Sequence, residues 1–179
     1  MTIKNLFIQM LAAIGLSVAV FAQDISVEQY QLGAGDQVKV TVYGEEDLSG
    51  EFEIDGTGKI GMPLIGAVKV GGKKLAEAEA AITALLLDGY LVTPRVNLEV
   101  MNYRPFYILG EVDRPGSYPY VNDMTVLNAV ALAAGFTYRA NKKKIEITRK
   151  IDGVEQKITV DITAKVLPGD IIRIDERFF

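Results

Sequence analysis

The sequence predicts an α+β fold built from short strands and two helices. Apolar and polar residues alternate at 38–42 and 96–100, which is the period of a strand with one buried face. Within 74–87 and 125–134, apolar residues instead recur every three or four positions, as in an amphipathic helix. Strands therefore surround one helix in each half of the chain, and we expect a boundary between the halves near 102–105.

The first 22 residues have the pattern of a secretory signal peptide. Lys4 is the only charged residue before Asp24, residues 6–22 are almost entirely apolar, and the small Ala22 ends the run. This run is shorter than the roughly 20 apolar residues that cross a bilayer, which favours a cleaved leader over a membrane anchor. We therefore expect residues 1–22 to be removed and the mature protein to lie outside the cytoplasm.

The composition excludes several classes of chemistry. The chain has 179 residues, a formal net charge of −4, and neither histidine nor cysteine. It therefore has no imidazole base, thiolate nucleophile, disulfide, or His or Cys metal site. Its mild acidity argues against a nucleic-acid partner. We expect no catalytic residues, no cofactor and no metal site.

The clearest local prediction is a hairpin over 144–161. Asp152-Gly153 is a two-residue turn signal, because a type I′ turn needs positive φ at both positions. With that loop, Ile147 faces Ile158 on an apolar side, and Glu146 faces Thr159 on a polar side. Arg149 falls on the apolar side opposite Gln156, and we interpret it as a residue near an open end.

The two helices have predicted buried faces. In 74–87 the apolar face comprises Leu75, Ala78, Ile82, Leu85 and Leu86, and the solvent side comprises Glu77, Glu79 and Thr83. In 125–134 the apolar stripe comprises Leu127, Val130, Ala131 and Ala134, with Asn128 as the one polar interior residue. Asp123 is the candidate N-cap of this second helix, and Gly135 is its candidate left-handed stop.

Two motifs that suggest chemistry have simpler interpretations. Residues 56–61 spell G-x-G-x-x-G, but β pattern follows them where a dinucleotide site needs a helix, so we predict a glycine-rich turn. Asp36 and Asp170 each follow a glycine and precede an apolar strand. Paired carboxylates hydrolyse glycosides. However, Gly-Asp before a strand is typical of a turn whose carboxylate accepts backbone N–H groups.

Five residues are candidate glycan contacts. Aromatic faces stack on sugar rings, and lysines pair with acidic groups. The candidates on these grounds are Tyr107, Tyr118, Tyr120, Lys142 and Lys143. The same tyrosines also suit a core or a subunit contact, and the same lysines suit a solvated hairpin entrance.

The first half of the chain resembles the export domain of the bacterial polysaccharide (capsule and exopolysaccharide) export family. Residues 30–36 resemble its opening Y-x-L-G-x-G-D, and 58–66, a strand, a helix and 94–96 follow in the same order. The resemblance implies an export domain over 26–102. Lys74 stands where the family has a capping threonine, which weakens that helix end. The structural positions that the resemblance implies here are Gly33, Gly35, Asp36, Pro63 and Gly66.

The second half resembles the soluble-ligand-binding β-grasp (SLBB) domain. Residues 110–118 resemble its G-E-V-x-x-P-G-x-Y hallmark, and a helix and the closing 167–172 follow in family order. The resemblance implies an SLBB domain over 105–152, with strands over 153–179 that complete the fold. The structural positions implied here are Gly110, Glu111, Arg114, Pro115, Gly116, Gly135, Pro168, Gly169 and Asp170.

The resemblance also implies a function and partners. We expect a periplasmic, outer-membrane-associated subunit of a homo-oligomeric ring whose lumen passes polysaccharide, together with an inner-membrane chain-length or kinase-like protein. Because no cysteine follows the leader, we expect no lipid anchor. Because no amphipathic helix follows Phe179, we expect a separate outer-membrane β-barrel partner. The alternative is a periplasmic carbohydrate- or ligand-binding adaptor or sensor that acts through the β-grasp domain.

Overall fold

The computed structural model describes residues 30–151 and 153–177, so the predicted signal peptide and Phe178-Phe179 lie outside the described residues. The described chain is a mixed α/β structure, consistent with the predicted α+β class. Its helices are α1 (Leu75–Leu87) and α2 (Val126–Leu132), and a 3₁₀ turn covers Glu46–Leu48. Its strands are β1 (Gln37–Val42), β2 (Gly50–Glu53), β3 (Lys59–Met62), β4 (Gly66–Lys69), β5 (Val96–Asn102), β6 (Phe106–Gly110), β7 (Gly116–Tyr118), β8 (Ala140–Ile151), β9 (Val154–Val160) and β10 (Ile171–Glu176).

The first hydrophobic core lies between α1 and two small sheets. Strand β1 pairs antiparallel with β2 and β5 in the order β2-β1-β5, and β3 pairs antiparallel with β4. Alternate residues of β1 are buried, as its period of two predicts. The main buried side chains of this first core are Leu32, Val38, Val40, Ile54, Ile60, Val68, Ile82 and Leu86.

The second hydrophobic core lies between α2 and a five-stranded sheet of order β7-β6-β10-β8-β9. Strand β10 runs parallel to β6 and antiparallel to β8, so the last strand is inserted in the centre of the sheet. The main buried side chains of this second core are Phe106, Ile108, Val126, Ala129, Val130, Ile145, Ile147, Ile172 and Ile174. Among the described residues, no helix has the length and hydrophobicity that a membrane crossing needs.

The hairpin of β8 and β9 has the predicted register. Ile147 pairs with Ile158, and Glu146 pairs with Thr159. Arg149 does lie near the end of β8, but its side chain is buried, which the interpretation of an open end did not predict. A buried carboxylate, described below, accounts for a cation on the apolar side.

Helix α1 has a narrower buried face than its spacing predicts. Ala78, Ile82 and Leu86 are buried, but Leu85 is 39% exposed and lies outside the core. Glu79, predicted to face solvent, is half-buried, and its carboxylate accepts the backbone N–H of Leu98 at 2.8 Å. One acidic side chain of α1 therefore ties the helix to β5.

Helix α2 is rotated by about one position from its predicted face. Its buried residues are Val126, Ala129, Val130 and Ala133, whereas Leu127 is 50% exposed and Asn128, Ala131 and Ala134 are exposed. The predicted cap Asp123 was also wrong, because it has a left-handed φ of 62°. The cap is Thr125, whose hydroxyl accepts the N–H of Asn128. The left-handed stop lies one residue before the predicted Gly135, because Ala134 follows the C-cap with φ of 66° and the Gly135 N–H donates to the Val130 carbonyl at 2.9 Å.

Candidate functional site at the junction of the two cores

Two turns with the same hydrogen bonding lead into β1 and β10. Asp36 accepts the N–H of Gly33 at 2.7 Å, and Asp170 accepts the N–H of Leu167 at 2.7 Å. In the first turn the Asp36 N–H donates to the Gly33 carbonyl at 3.1 Å. In the second turn the Asp170 N–H donates to the Leu167 carbonyl, also at 3.1 Å. Both carboxylates are buried, at 0% and 1% exposure, as the turn interpretation predicts.

Each of these carboxylates also binds an arginine. Arg149 donates to Asp170 through Nε at 2.9 Å and Nη2 at 2.7 Å, and Nη2 also donates to the Lys165 carbonyl at 3.0 Å. Arg104 donates to Asp36 through Nη1 at 3.0 Å and through its backbone N–H at 2.9 Å. These charge-assisted hydrogen bonds occupy the carboxylate oxygens, which a general base or a nucleophile would need to have free. Both aspartates are therefore structural carboxylates.

Arg104 lies in the connection between β5 and β6, where the two turns approach each other. Its guanidinium lies 5.4 Å from the ring centre of Tyr30, and Nη1 donates to the Tyr30 hydroxyl at 2.7 Å. A Cβ built on Gly169 would lie only 2.6 Å from Arg104 Nε, and one built on Gly33 would also overlap the guanidinium. Glycine at both positions therefore makes room for one arginine between the two cores.

Three tyrosines form a row beside this arginine. Tyr30 and Tyr103 meet edge to face with centroids 5.2 Å apart, and Tyr103 and Tyr120 do so at 5.3 Å. Burial raises the pKa of Tyr30 far above its ordinary value, although the nearby Arg104 opposes the shift. Tyr30 is therefore a neutral hydroxyl that donates a hydrogen bond to the Asp36 carboxylate.

A cleft of about 680 Å³ opens beside Arg104 between the two cores. Its basic lining residues are Lys69, Lys74, Arg104, Arg149 and Lys150. Among the described lining residues the one carboxylate is that of Asp170, which is buried against Arg149. Much of the remaining wall is glycine backbone, from Gly33, Gly56, Gly58, Gly71, Gly72, Gly153 and Gly169. The cleft therefore combines basic side chains with backbone and with aliphatic side chains such as Leu32 and Ile151.

The structure does not gather the five candidate glycan contacts on one surface. Tyr107 is 44% exposed on β6, whereas Tyr118 stacks on the buried Phe106 with centroids 6.0 Å apart. Tyr120 belongs to the tyrosine row. Lys142 lies over the ring of Phe136 at 5.5 Å, and Lys143 is exposed beside it on β8. None of the five lines the cleft.

The loop between β6 and β7 is bound to the end of α2. The Asp113 N–H donates to the Gly135 carbonyl at 3.1 Å, and the Arg114 N–H donates to the Ala133 carbonyl at 2.9 Å. Glu111 accepts the Thr137 hydroxyl. The structure therefore brings 110–118 and 133–135, two segments that the resemblance singles out, into direct contact.

The remaining motif positions lie in turns. Pro63 and Gly66 form the turn between β3 and β4, where the Ile65 N–H donates to the Pro63 carbonyl at 2.8 Å. Pro115 is exposed in the loop before Gly116, which begins β7. Pro168 is buried within the Asp170 turn. In residues 56–61 a turn leads into β3 and no helix follows, as predicted.

Sequence reasoning missed most of the residues that build this junction. No sequence pattern indicated Arg104, and Tyr30 was indicated only as the first residue of the motif at 30–36. The sequence did contain an indication for Arg149, because a cation on the apolar side of a hairpin indicates a buried counter-charge. Lys69, Lys74 and Lys150 are far apart in sequence, and only the fold brings them to one cleft. Among the described residues, no group of three or more acidic side chains is placed to hold a metal ion.

Comparisons with known proteins agree with this two-core arrangement. Residues 24–101 match the family model described as polysaccharide biosynthesis/export protein, and residues 105–159 match the SLBB domain model. The exopolysaccharide production protein ExoF of Rhizobium meliloti (strain 1021) is 31% identical over 147 residues, which cover 75% of this chain and 34% of ExoF. The polysialic acid transport protein KpsD of Escherichia coli is 30% identical over 108 residues, which cover 59% of this chain and 19% of KpsD.

The chain thus spans about a third of the first of these relatives and about a fifth of the second. The two family matches follow each other with a gap of only a few residues, and Arg104 lies in that gap. The chain therefore carries a domain of the polysaccharide biosynthesis/export protein family, followed by an SLBB domain.

Proposed function

We propose that this chain is a periplasmic, outer-membrane-associated subunit of a polysaccharide export apparatus, and that several copies form a conduit for a glycan chain. The observation that carries this proposal is the succession of an export-family match and an SLBB match in one chain. The relatives are named for exopolysaccharide production and polysialic acid transport, which supports a polysaccharide as the cargo.

The proposed mechanism is passage and alignment without bond chemistry. The buried carboxylates of Asp36 and Asp170 are occupied by structural hydrogen bonds, and the cleft between the cores presents cations and backbone groups. Such polar contacts exchange readily with water, so a hydrated polymer can move from one to the next. A tight site would hold the chain, because slow dissociation accompanies high affinity.

The sheet of the second core supports an assembly in which one edge of each copy meets a different edge of the next copy. Its two edges are formed by different strands, β7 and β9, and each edge leaves backbone groups unpaired within the described chain. An association that joins unlike edges is heterologous and closes into a ring when the rotation permits. A mixed sheet with one packed helix also supports a β-grasp assignment for this core.

Deletion of the gene tests the proposed function. We expect surface and secreted polysaccharide to fall and polymer to accumulate in the periplasm. A plasmid copy of the chain should restore export. Normal levels of every surface glycan in the deletion strain would overturn the proposal.

Native mass spectrometry of the purified protein tests the conduit. The conduit predicts a multimer with weak affinity for glycan. A stable monomer with saturable affinity would instead favour the ligand-binding adaptor. The protein should be measured with and without membranes that contain its inner-membrane partner.

A further inference from the structure

The cleft between the two cores carries a charge opposite to that of the whole chain. The protein has a formal net charge of −4, yet five of the residues that line the cleft are basic. Arg149 is neutralised by Asp170, and Arg104 is paired with Asp36. Lys69, Lys74 and Lys150 form none of the ion pairs found among the described residues. Within the described residues these three lysines therefore lack an ion-pair partner, although Lys69 donates to the Thr57 carbonyl at 2.5 Å.

Arg104 adds hydrogen-bond donors to these charges. Its Nη1 is used by Tyr30 and Asp36, whereas Nε and Nη2 donate to no described partner. No buried side-chain nitrogen or oxygen in the described chain is left without a hydrogen bond, so these N–H groups are open to solvent. The side chain is 25% exposed, and Gly33 and Gly169 pack closely against its guanidinium, where any side chain would overlap it. A planar guanidinium with two free donor positions matches the geometry of a carboxylate.

The other residues that line the cleft bear on which classes of ligand it can bind. Aromatic stacking is absent from the described lining apart from Tyr30, which is itself buried. The glycine segments 56–58 and 71–72 present backbone instead of side chains. In particular, Gly58 and Gly71 pack so closely that a Cβ on Gly71 would lie 2.7 Å from the Gly58 Cα. Such a wall offers backbone groups and cations to an anion, and apart from the buried Tyr30 its described lining offers no aromatic face to a ring.

From these observations we infer that the cleft between the cores binds carboxylate groups of an acidic polysaccharide, with Lys69, Lys74, Lys150 and Arg104 as its contacts. The inference rests on the proposed export function and assigns a substrate class to it. Charges of one sign in a cleft concentrate the field and raise the local concentration of an anionic polymer. Because the lysines are exposed, each contact is weak and exchangeable, which suits a chain in transit.

The test uses the purified protein and an oligogalacturonate hexamer, with a neutral glucose hexamer beside it. Backbone amide shifts and calorimetry at low salt report the site and the dissociation constant. We expect the acidic hexamer to shift amides around the cleft and the neutral hexamer to leave them unchanged. Affinity should fall as salt rises, because exposed charges are screened.

A matched pair of triple variants locates the site. K69Q/K74Q/K150Q removes the three cleft lysines and should weaken binding about tenfold or more. K39Q/K144Q/K157Q removes three exposed lysines that do not line the cleft and are not among the candidate glycan contacts. This control should change the affinity less than twofold. Thermal unfolding of both variants verifies that each is folded.

Several outcomes would overturn the inference. Equal affinity of the two triple variants, loss of binding in the control alone, or equal binding of the neutral hexamer would each do so. Complete displacement of the hexamer by inorganic phosphate at equal charge concentration would show that the cleft binds anions in general and does not recognise glycan carboxylates. The deletion experiment separates this result from the function: blocked export with no acidic-glycan binding refutes the cleft assignment alone, and binding with unaffected export refutes the export role alone.

Discussion

Arg149 and Asp170 form a two-pronged ion pair inside the second core, with Nε–Oδ1 at 2.9 Å and Nη2–Oδ2 at 2.7 Å. Both side chains are almost fully buried, and Asp170 also accepts the N–H of Leu167. The pair joins the C-terminal part of β8 to the turn before β10. It therefore holds the central strand of the sheet in place.

Removing the charge of Asp170 should destabilise the protein strongly. Asp170→Asn leaves Arg149 buried without a counter-charge, and we expect a loss of about 3–5 kcal/mol in the free energy of unfolding. Urea unfolding measures it. As a control, Glu155→Gln on exposed β9 should change stability by less than about 0.5 kcal/mol. A loss below about 1 kcal/mol for Asp170→Asn would contradict the role of the pair.

Tyr30 should make stability depend on alkaline pH. Its folded-state pKa is raised by burial, so above about pH 10 the unfolded chain releases this proton while the folded chain keeps it. Stability from the neutral hydroxyl is thus complete below pH 10 and declines above it. The advantage of the native protein over Tyr30→Phe should shrink by about 1.4 kcal/mol between pH 9 and pH 11. Guanidinium unfolding at both pH values measures this difference, and a constant difference would refute the prediction.

Gly110 should not tolerate a side chain. Its φ is 89°, and a Cβ there would collide with the Ile174 carbonyl, which accepts the Glu111 N–H at 2.9 Å. Gly110→Ala should cost at least about 2 kcal/mol of stability. Gly61→Ala is the matched control, because a Cβ on Gly61 has no heavy atom within 4 Å. Similar melting temperatures for the two variants would show that the approach of β6 to β10 can relax.

The two helix N-termini should respond in opposite directions. Thr125→Ala removes the cap of α2 and should destabilise the protein by about 1 kcal/mol. Lys74→Thr supplies a capping hydroxyl to α1, where Glu77 already accepts the Lys74 N–H at 3.0 Å, and should stabilise by about 0.5–1 kcal/mol. Thermal unfolding checks both. Lys74→Thr also removes one cleft charge, so a more stable protein with weaker oligogalacturonate binding would separate the two effects.

Local patterns predicted the local structure well. The register of β8 and β9 followed from one turn signal and the alternation on each side, since a slip of one residue would bury lysine. The turns at Asp36 and Asp170 followed from glycine and a short carboxylate side chain. In each case the determining contacts lie within a few residues of one another.

Predictions that depended on tertiary packing were less accurate. The buried face of α2 was displaced by one position because Leu127 is apolar but points away from the sheet, where small alanines pack. The role of Arg149 depends on Asp170, which lies 21 residues further along the chain. The conspicuous lysine run at 142–144 does not line the cleft, whereas three lysines from separate parts of the chain do.

The position of Arg104 has a consequence for exchange of parts between homologues. This residue sits in the three-residue stretch that connects the two matched domains, yet its side chain contacts Tyr30 and Asp36 on one side and Gly169 on the other. A chimaera that takes its C-terminal half from another protein with these domains will keep the Arg104 contacts only if the donor supplies glycine at the second turn. Any larger residue there would have to adopt a φ near 83° and would displace the arginine side chain from Tyr30 and Asp36.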